Sequence, residues 1–513
     1  MVRTFAAIDV GSFELELGIY EITDKGNVRT VDQVKHMIAL GKDTYNTGKI
    51  SYRLVEEMCE VLQDFVRIMK EYQVKEYRAY ATSAMREARN SQIVLEQLRV
   101  RTGIDVKIIS NSEQRFLDYK SIALKGQDFN KIIEKGTAIV DIGGGSIQVS
   151  LFDKDTLVAT QNLRLGVLRL QELLNKLNAK PSKYEGLLEE IIESQLSVFK
   201  RMYLKDRTID NIIIVDDYVS ALIQKRLTGS QTPGYVDSAS YEMFMQIMRT
   251  HTKEEIAARF GISTESIPLI FISAVLIYRV ALLMEAKLLW APGVTLCDGI
   301  AYEFAEKNKI VGPKHDFEQD IVACARNISK RFMGSRRRGE TLEYICTTIF
   351  DSMKKVHGLG KRERLLLRIA ALLHDCGKYI SMVNLGECSY SIVMATEIIG
   401  LSHKEREIVA NVVKYNHQEF DYYEELGTTT TLDPQAYLTI AKLTAIIRVA
   451  NGLDRSHKQK FKDFKTTLRE DQLIFTVNTA EDITLERGLF EAKASFFEEV
   501  FSVHPVIKQK KII

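Results

Sequence analysis

The sequence lacks an excess of charge of either sign: 70 Lys and Arg against 68 Asp and Glu leave a formal net charge of +2. That balance gives no electrostatic footing for bulk nucleic-acid binding, so nucleic acid is not an expected partner. The six cysteines, Cys59, Cys297, Cys324, Cys346, Cys376 and Cys388, contain no CxxC pair. They read as buried or reduced thiols in a cytoplasmic protein. The first residues enter a strand pattern at once and carry no signal-peptide pattern. The longest apolar run, Ile267 to Tyr278, stops at Arg279 and is followed by Glu285 and Lys287. It is expected to be a core helix, too short and too charged to span a membrane.

With 513 residues and 45% hydrophobic content, the chain is long enough for roughly three domains. Residues 1 to about 300 alternate β-rich runs with amphipathic helices, the α/β pattern. From about Asp316 to Arg455 nearly everything reads as helix, with breaks at Gly358-Leu359-Gly360 and around Gly386. The tail from Thr466 is mixed, with a strand at Leu473–Val477 and a helix over Leu485–Val500.

Two stretches echo each other. Ala7–Tyr20 reads AIDVGSFELELGIY and Val140–Phe152 reads VDIGGGSIQVSLF. Each has an apolar run ending in an aspartate (Asp9, Asp141), a Gly-Ser turn, and an alternating apolar run. Each predicts a β-hairpin whose glycine-rich turn lets backbone N–H groups approach a phosphate. One such turn is also what an ordinary hairpin looks like. Two, about 132 residues apart, predict an internal duplication with a phosphate held between the halves.

Further residues carry a family resemblance. Ala81 to Asn90 reads ATSAMREARN, and Leu165-Gly166 and Asp298-Gly299 mark two more turns. Together with Asp9, Gly11 and Ser12, and with Asp141, Gly143, Gly144, Gly145 and Ser146, they resemble the Ppx/GppA family of exopolyphosphatases and pentaphosphate-nucleotide phosphatases. The resemblance covers essentially the whole chain. It implies an α/β fold of two duplicated RNase H-like lobes of the actin, Hsp70 and sugar-kinase type, at residues 1–124 and 125–305. An all-α HD-like domain over 306–460 and a small α/β C-terminal domain over 461–513 would follow.

The implied chemistry is release of terminal orthophosphate from inorganic polyphosphate, or of the 5′-phosphate of pppGpp, by water. The terminal phosphoryl group would sit between the two Gly/Ser loops, held by N–H donors and Ser hydroxyls. Arg86 would offer it a guanidinium fork, or else make a structural salt bridge. Asp9 and Asp141 would hold Mg²⁺. A homodimer through the helical domain is implied by the resemblance alone.

The sequence departs from the family at the catalytic base. The family segment ISGxEEARLxY appears as Ile109 to Tyr119, ISNSEQRFLDY, which places the catalytic glutamate at Gln114. Gln148 ends the second loop where the family has another carboxylate. An amide has a carboxylate's shape but takes no proton at neutral pH. Glu113 is the adjacent acid, although helix neighbours point about 100° apart. Glu14 and Glu16 enter the first loop, and Val215-Asp216-Asp217 stands at a glycine-rich turn of the family. An uncompensated carboxylate about 4 Å from a phosphate charge costs roughly 4 kcal/mol at an effective dielectric near 20.

The helical region repeats this erosion. Its HD pair is His374-Asp375, with Asp454 downstream, but the further histidines of metal-binding HD enzymes are missing. Leu385 to Ser389 reads LGECS, Arg338 replaces the leading histidine, and His417 is retained. A hydrogen-bonded His374–Asp375 pair without metal is one expectation, an eroded metal site the other. Two functional classes therefore stay open: a divergent hydrolase using Glu113 or a Mg²⁺-bound water network, and a catalytically impaired relative that binds phosphate or nucleotide as a sensor or regulatory protein.

Overall fold

Apolar alternation in Val2–Val10 (β1) and Glu14–Thr23 (β2) folds the chain into an antiparallel hairpin, extended by Asn27–Met37 (β3). Chain crossovers then add Glu76–Ala81 (β4) and Val106–Ile108 (β5) parallel to β1, giving the order β3-β2-β1-β4-β5. A computed structural model describes residues 2–24, 27–178, 180–225, 234–312, 315–423 and 432–510. It divides into two units, Met1–Asp316 and Phe317–Ile513.

The first unit builds the same sheet twice. Thr137–Ile142 (β6), Ile147–Asp153 (β7) and Thr156–Leu163 (β8) form an antiparallel meander. Asn211–Asp216 (β9) lies parallel to β6. Leu288–Trp290 (β11) lies parallel to β9, and Tyr235–Asp237 (β10) closes the edge. Read as β8-β7-β6-β9-β11, this order repeats that of the first sheet. The repetition extends to irregularities: the register slips at Ile19/Tyr20 between β2 and β3, and at the corresponding Leu151/Phe152 between β7 and β8.

Both sheets are anchored by apolar layers. All six residues of β6 are buried, and full burial of each large aliphatic side chain contributes about 1.5–3 kcal/mol. The apolar run after Ile267 continues past Arg279 as an 18-residue helix, Ile267–Met284. The expected length is thereby corrected, because the helix is long and apolar enough to cross a membrane by those two criteria. Most of it is nonetheless buried among the helices and strands of the second lobe.

In the second unit, six helices of eleven residues or more run from Phe317 to Leu453 among the described residues. Phe464–Arg469 (β12), Gln472–Asn478 (β13) and His504–Lys510 (β14) then form a sheet beside the Thr484–Phe501 helix. Gly358 does end a helix, with φ 64°. Gly386, expected at a break, instead lies in the first turn of the Leu385–Ala395 helix. A Cβ there would stand 2.9 Å from the Lys414 carbonyl oxygen, so the glycine serves packing.

Candidate functional site

The two glycine-rich turns close in the same way. Gly11 N–H donates to the Glu14 carbonyl at 3.0 Å, and Gly143 N–H to the Ser146 carbonyl at 3.0 Å. Asp9 faces Glu16 across the first hairpin at the register where Asp141 faces Gln148 across the second.

The turns also approach each other. A Cβ on Gly144 would lie 3.0 Å from that of Ser12, and one on Gly145 would lie 2.2 Å from the Tyr45 hydroxyl. Three hydroxyls meet there: Ser12–Ser83 at 2.7 Å, Ser12–Tyr45 at 3.0 Å and Tyr45–Ser83 at 2.9 Å. The Ala84 N–H donates to Ser12 Oγ at 3.0 Å. Arg169 holds the second turn against this group. It donates to the Gly145 carbonyl at 2.8 Å and to both oxygens of Glu87 at 2.7 Å. Its guanidinium lies over the Tyr45 ring, 4.3 Å from the centre, a contact worth about 0.5–2 kcal/mol.

Beneath the second turn runs a buried polar chain. Arg115, 2% exposed, donates from Nε to Gln148 Oε1 at 3.0 Å and from Nη1 to Thr160. Gln148 in turn donates to Asp141 Oδ2 at 3.1 Å. Asp118, 3% exposed, brings its carboxyl against that of Asp141, and its buried Oδ2 has no other partner. Two facing carboxyls bond only by sharing a proton. Burial, then the charges of Asp141 and Asp9, hold Asp118 well above the usual carboxylate range. Burial pushes Asp141 up to about 6, against the hydrogen bond from Asp118 and the charge of Arg115. At neutral pH the pair therefore carries one proton and one negative charge.

The first turn has its own charge group. Lys35 of β3 stands opposite Glu16 and reaches Glu14 at 2.5 Å and Glu16 at 3.3 Å. Glu16, 3% exposed, also accepts from Gln33 at 2.7 Å and Thr295 at 2.8 Å. Glu14 and Glu16 thus share a face, as the strand alternation requires, and Lys35 compensates them. Asp9 Oδ1 is buried without a partner, which suits a protonated carboxyl. Burial, then Glu16, Asp217 and Glu14, raise its pKa well above the ordinary value. Asp216 accepts from the N–H groups of Val219 and Ser220, whereas Asp217 opens to solvent.

Other expected residues have different work. Glu113 Oε2 accepts from Ser110 N–H at 2.9 Å and Oγ at 2.8 Å, a capping box at the start of the Asn111–Ala123 helix. That commitment competes with the expected role as base. Gln114 is half-buried in the next position. Arg86 donates to the Ile109 carbonyl and to Asn111 Oδ1, which ties the ATSAMREARN helix to the strand β5 exit. Sequence reasoning passed over Lys35, Tyr45, Ser83, Arg115, Asp118 and Arg169. For Asp118 a signal was present, because it follows Gln114 by four residues and so shares its helix face.

The surroundings of Asp9 and Asp141 do not suit Mg²⁺. Asp141 is already hydrogen-bonded to Gln148 and Asp118 beside Arg115, and Lys35 fills the acidic group around Asp9. Among the described residues no three His, Cys, Asp or Glu side chains are grouped to hold a metal ion. A divalent ion about 4 Å from a guanidinium would be repelled by roughly 8 kcal/mol at an effective dielectric near 20.

In the second unit, His374 Nδ1 meets the Ala371 carbonyl at 2.8 Å, so this nitrogen carries the proton. Burial lowers the His374 pKa to about 3. Arg338 lies 3.7 Å and Lys378 3.2 Å from Asp375. Arg338 also donates to Asn451 at 3.1 Å. Asp454 Oδ1 accepts from Gln459 N–H at 2.9 Å, and His417 Nε2 donates to the His374 carbonyl at 2.7 Å. The expected hydrogen-bonded His374–Asp375 pair does not form: His374 Nε2 lies 3.8 Å from Asp375 Oδ2 without a hydrogen-bond partner, and Asp375 is instead paired with Arg338 and Lys378.

Residues 19–307 match the model of the Ppx/GppA phosphatase family, and residues 323–493 match Ppx/GppA phosphatase domain III. The chain is 20% identical over 478 residues to guanosine-5′-triphosphate,3′-diphosphate pyrophosphatase of Vibrio atlanticus, covering 92% of each. It is 29% identical over 144 residues to exopolyphosphatase 1 of Mycobacterium tuberculosis, covering 28% of this chain and 40% of that one. The crystal structure of an exopolyphosphatase from Cytophaga hutchinsonii superposes with a TM-score of 0.52 at 18% identity, over 60% of this chain and all of that one. That likeness shows the shared fold over 60% of this chain.

Proposed function

The chain belongs to the Ppx/GppA phosphatase family, and from this premise we propose that it hydrolyses a terminal phosphoanhydride bond of inorganic polyphosphate, or releases the 5′-phosphate of pppGpp. The terminal phosphoryl group binds between the Gly11–Ser12 and Gly143–Ser146 turns, with the hydroxyls of Ser12, Ser83 and Tyr45 as further donors. Water attacks phosphorus and its proton passes to the Asp118–Asp141 pair. The bridging P–O bond breaks, the shortened chain leaves with the electron pair, and the proton returns to solvent.

The observation that carries this reading is Asp118: a buried carboxyl, hydrogen-bonded to Asp141, one helical turn beyond Gln114. With the shared proton on Asp118, the ionised Asp141 supplies the proton acceptor that the amide of Gln114 lacks. Six free cysteines, five of them buried, support a cytoplasmic setting.

Gln114 and Gln148 favour a second reading, a phosphate- or nucleotide-binding sensor without turnover. Purified protein incubated with polyphosphate, pppGpp and ATP separates the two. Orthophosphate release from either of the first two is expected. Binding of polyphosphate without release would transfer the function to the second reading.

A further inference from the structure

Each hairpin is met by a cation of the protein, delivered from a different element: Lys35 from β3 and Arg115 from the Asn111–Ala123 helix. In the first, Lys35 bridges Glu14 and Glu16 beside Asp9. In the second, Arg115 holds Gln148, which holds Asp141. Asp9 and Asp141 occupy equivalent register positions, as do Glu16 and Gln148. An amide with a guanidinium carries the same net charge as a carboxylate with a divalent cation. Arg115 is moreover fixed from both sides, by Gln148 and by Thr160 of β8, as a built-in charge has to be.

We propose that Lys35 and Arg115 are the resident cations of the clamp, standing where a divalent ion would otherwise bind Asp9 and Asp141, so that the cleft engages a phosphorylated chain end without a protein-bound metal. The proposal rests on the cleft being a phosphate clamp and is independent of whether water attack follows. Arg115 acts through Gln148 and Asp141 and is a positioning residue. The second unit offers a separate instance of the same solution, with Arg338 and Lys378 beside Asp375.

The test reads metal uptake by the full chain, with Mn²⁺ as a paramagnetic stand-in for Mg²⁺. Free Mn²⁺ is followed by electron paramagnetic resonance as the wild-type, Asp9→Asn and Asp141→Asn proteins are added. Equal uptake by all three is expected. Wild-type uptake that either Asn substitution removes would overturn the proposal. A second variant keeps the test open if an Asn protein fails to fold: Arg115→Met with Gln148→Glu exchanges the resident cation for a carboxylate and should create Mn²⁺ uptake absent from wild type. A folded double variant with no added uptake would equally contradict it. Because no turnover is read, a failure here is distinct from a failure of the hydrolase reading.

Discussion

Asp118 stands four residues after Gln114 on one face of the Asn111–Ala123 helix, and its carboxyl is hydrogen-bonded to Asp141. One turn of helix moves a side chain by about 5.4 Å along the axis. An acid group, absent at Gln114, is thus present on the same helix face one turn further on.

A pH dependence of stability follows from this pair. Both carboxyls have raised pKa values in the folded chain, so between pH 4 and 8 the native state holds more protons than the unfolded state. Stability conferred by these groups is complete below the unfolded carboxyl value and is lost as pH rises through about 6, the Asp141 value, and beyond. Asp118→Asn keeps a donor to Asp141 without a titrating proton. Thermal melting should show the variant close to wild type at pH 5 and more stable at pH 8. A variant less stable than wild type at pH 8 would contradict a protonated Asp118.

Glu113 is assigned to helix capping. Glu113→Ala should cost about 1 kcal/mol, the usual loss for a capping group, seen as a lower denaturant midpoint. Phosphate release by the folded protein should stay within about twofold of wild type.

Gly166 presses against the second turn: a Cβ there would fall 2.2 Å from the Gly145 carbonyl carbon and 2.3 Å from the Gly144 oxygen. These are backbone atoms and cannot yield locally. Gly166→Ala should destabilise by about 3 kcal/mol, measured by chemical denaturation. Tyr45→Phe, which removes one hydroxyl of the triangle, should leave stability within about 1.5 kcal/mol and weaken polyphosphate binding severalfold in calorimetric titration.

Arg338 compensates Asp375 in the second unit. Arg338→Met should cost about 2 kcal/mol, below the ~3–5 expected when one partner of a buried ion pair is removed, because Lys378 remains. Denaturation of the full chain, followed by a probe in the helical unit, measures it.

Much of the architecture was legible because the signal was local. The Asp9-Val10-Gly11-Ser12 and Asp141-Ile142-Gly143-Gly144 runs encode hairpins through alternation and turn chemistry alone, and their repetition discloses the duplicated sheets. The site was less legible because its decisive contacts are long-range. Lys35 reaches Glu14 and Glu16 only through the β2–β3 register, which slips at Ile19/Tyr20. Arg169 meets Tyr45 and Glu87 only once the two lobes are packed. Glu113 is the opposite case: its bond to Ser110 is local, a Ser-x-x-Glu capping box that is itself legible in the sequence. Asp118 was within reach, since a spacing of four from Gln114 needs only helix geometry.

The most direct measurement compares phosphate release from polyphosphate by wild-type, Asp141→Asn and Glu113→Gln proteins at neutral pH, each first shown to be folded. Wild type and Glu113→Gln should turn over alike, and Asp141→Asn, which removes the ionised member of the pair, should fall by roughly the 10²–10⁴-fold that a general base supplies. Undiminished turnover by Asp141→Asn, or a comparable loss in Glu113→Gln, would contradict the assignment of the base to the Asp118–Asp141 pair.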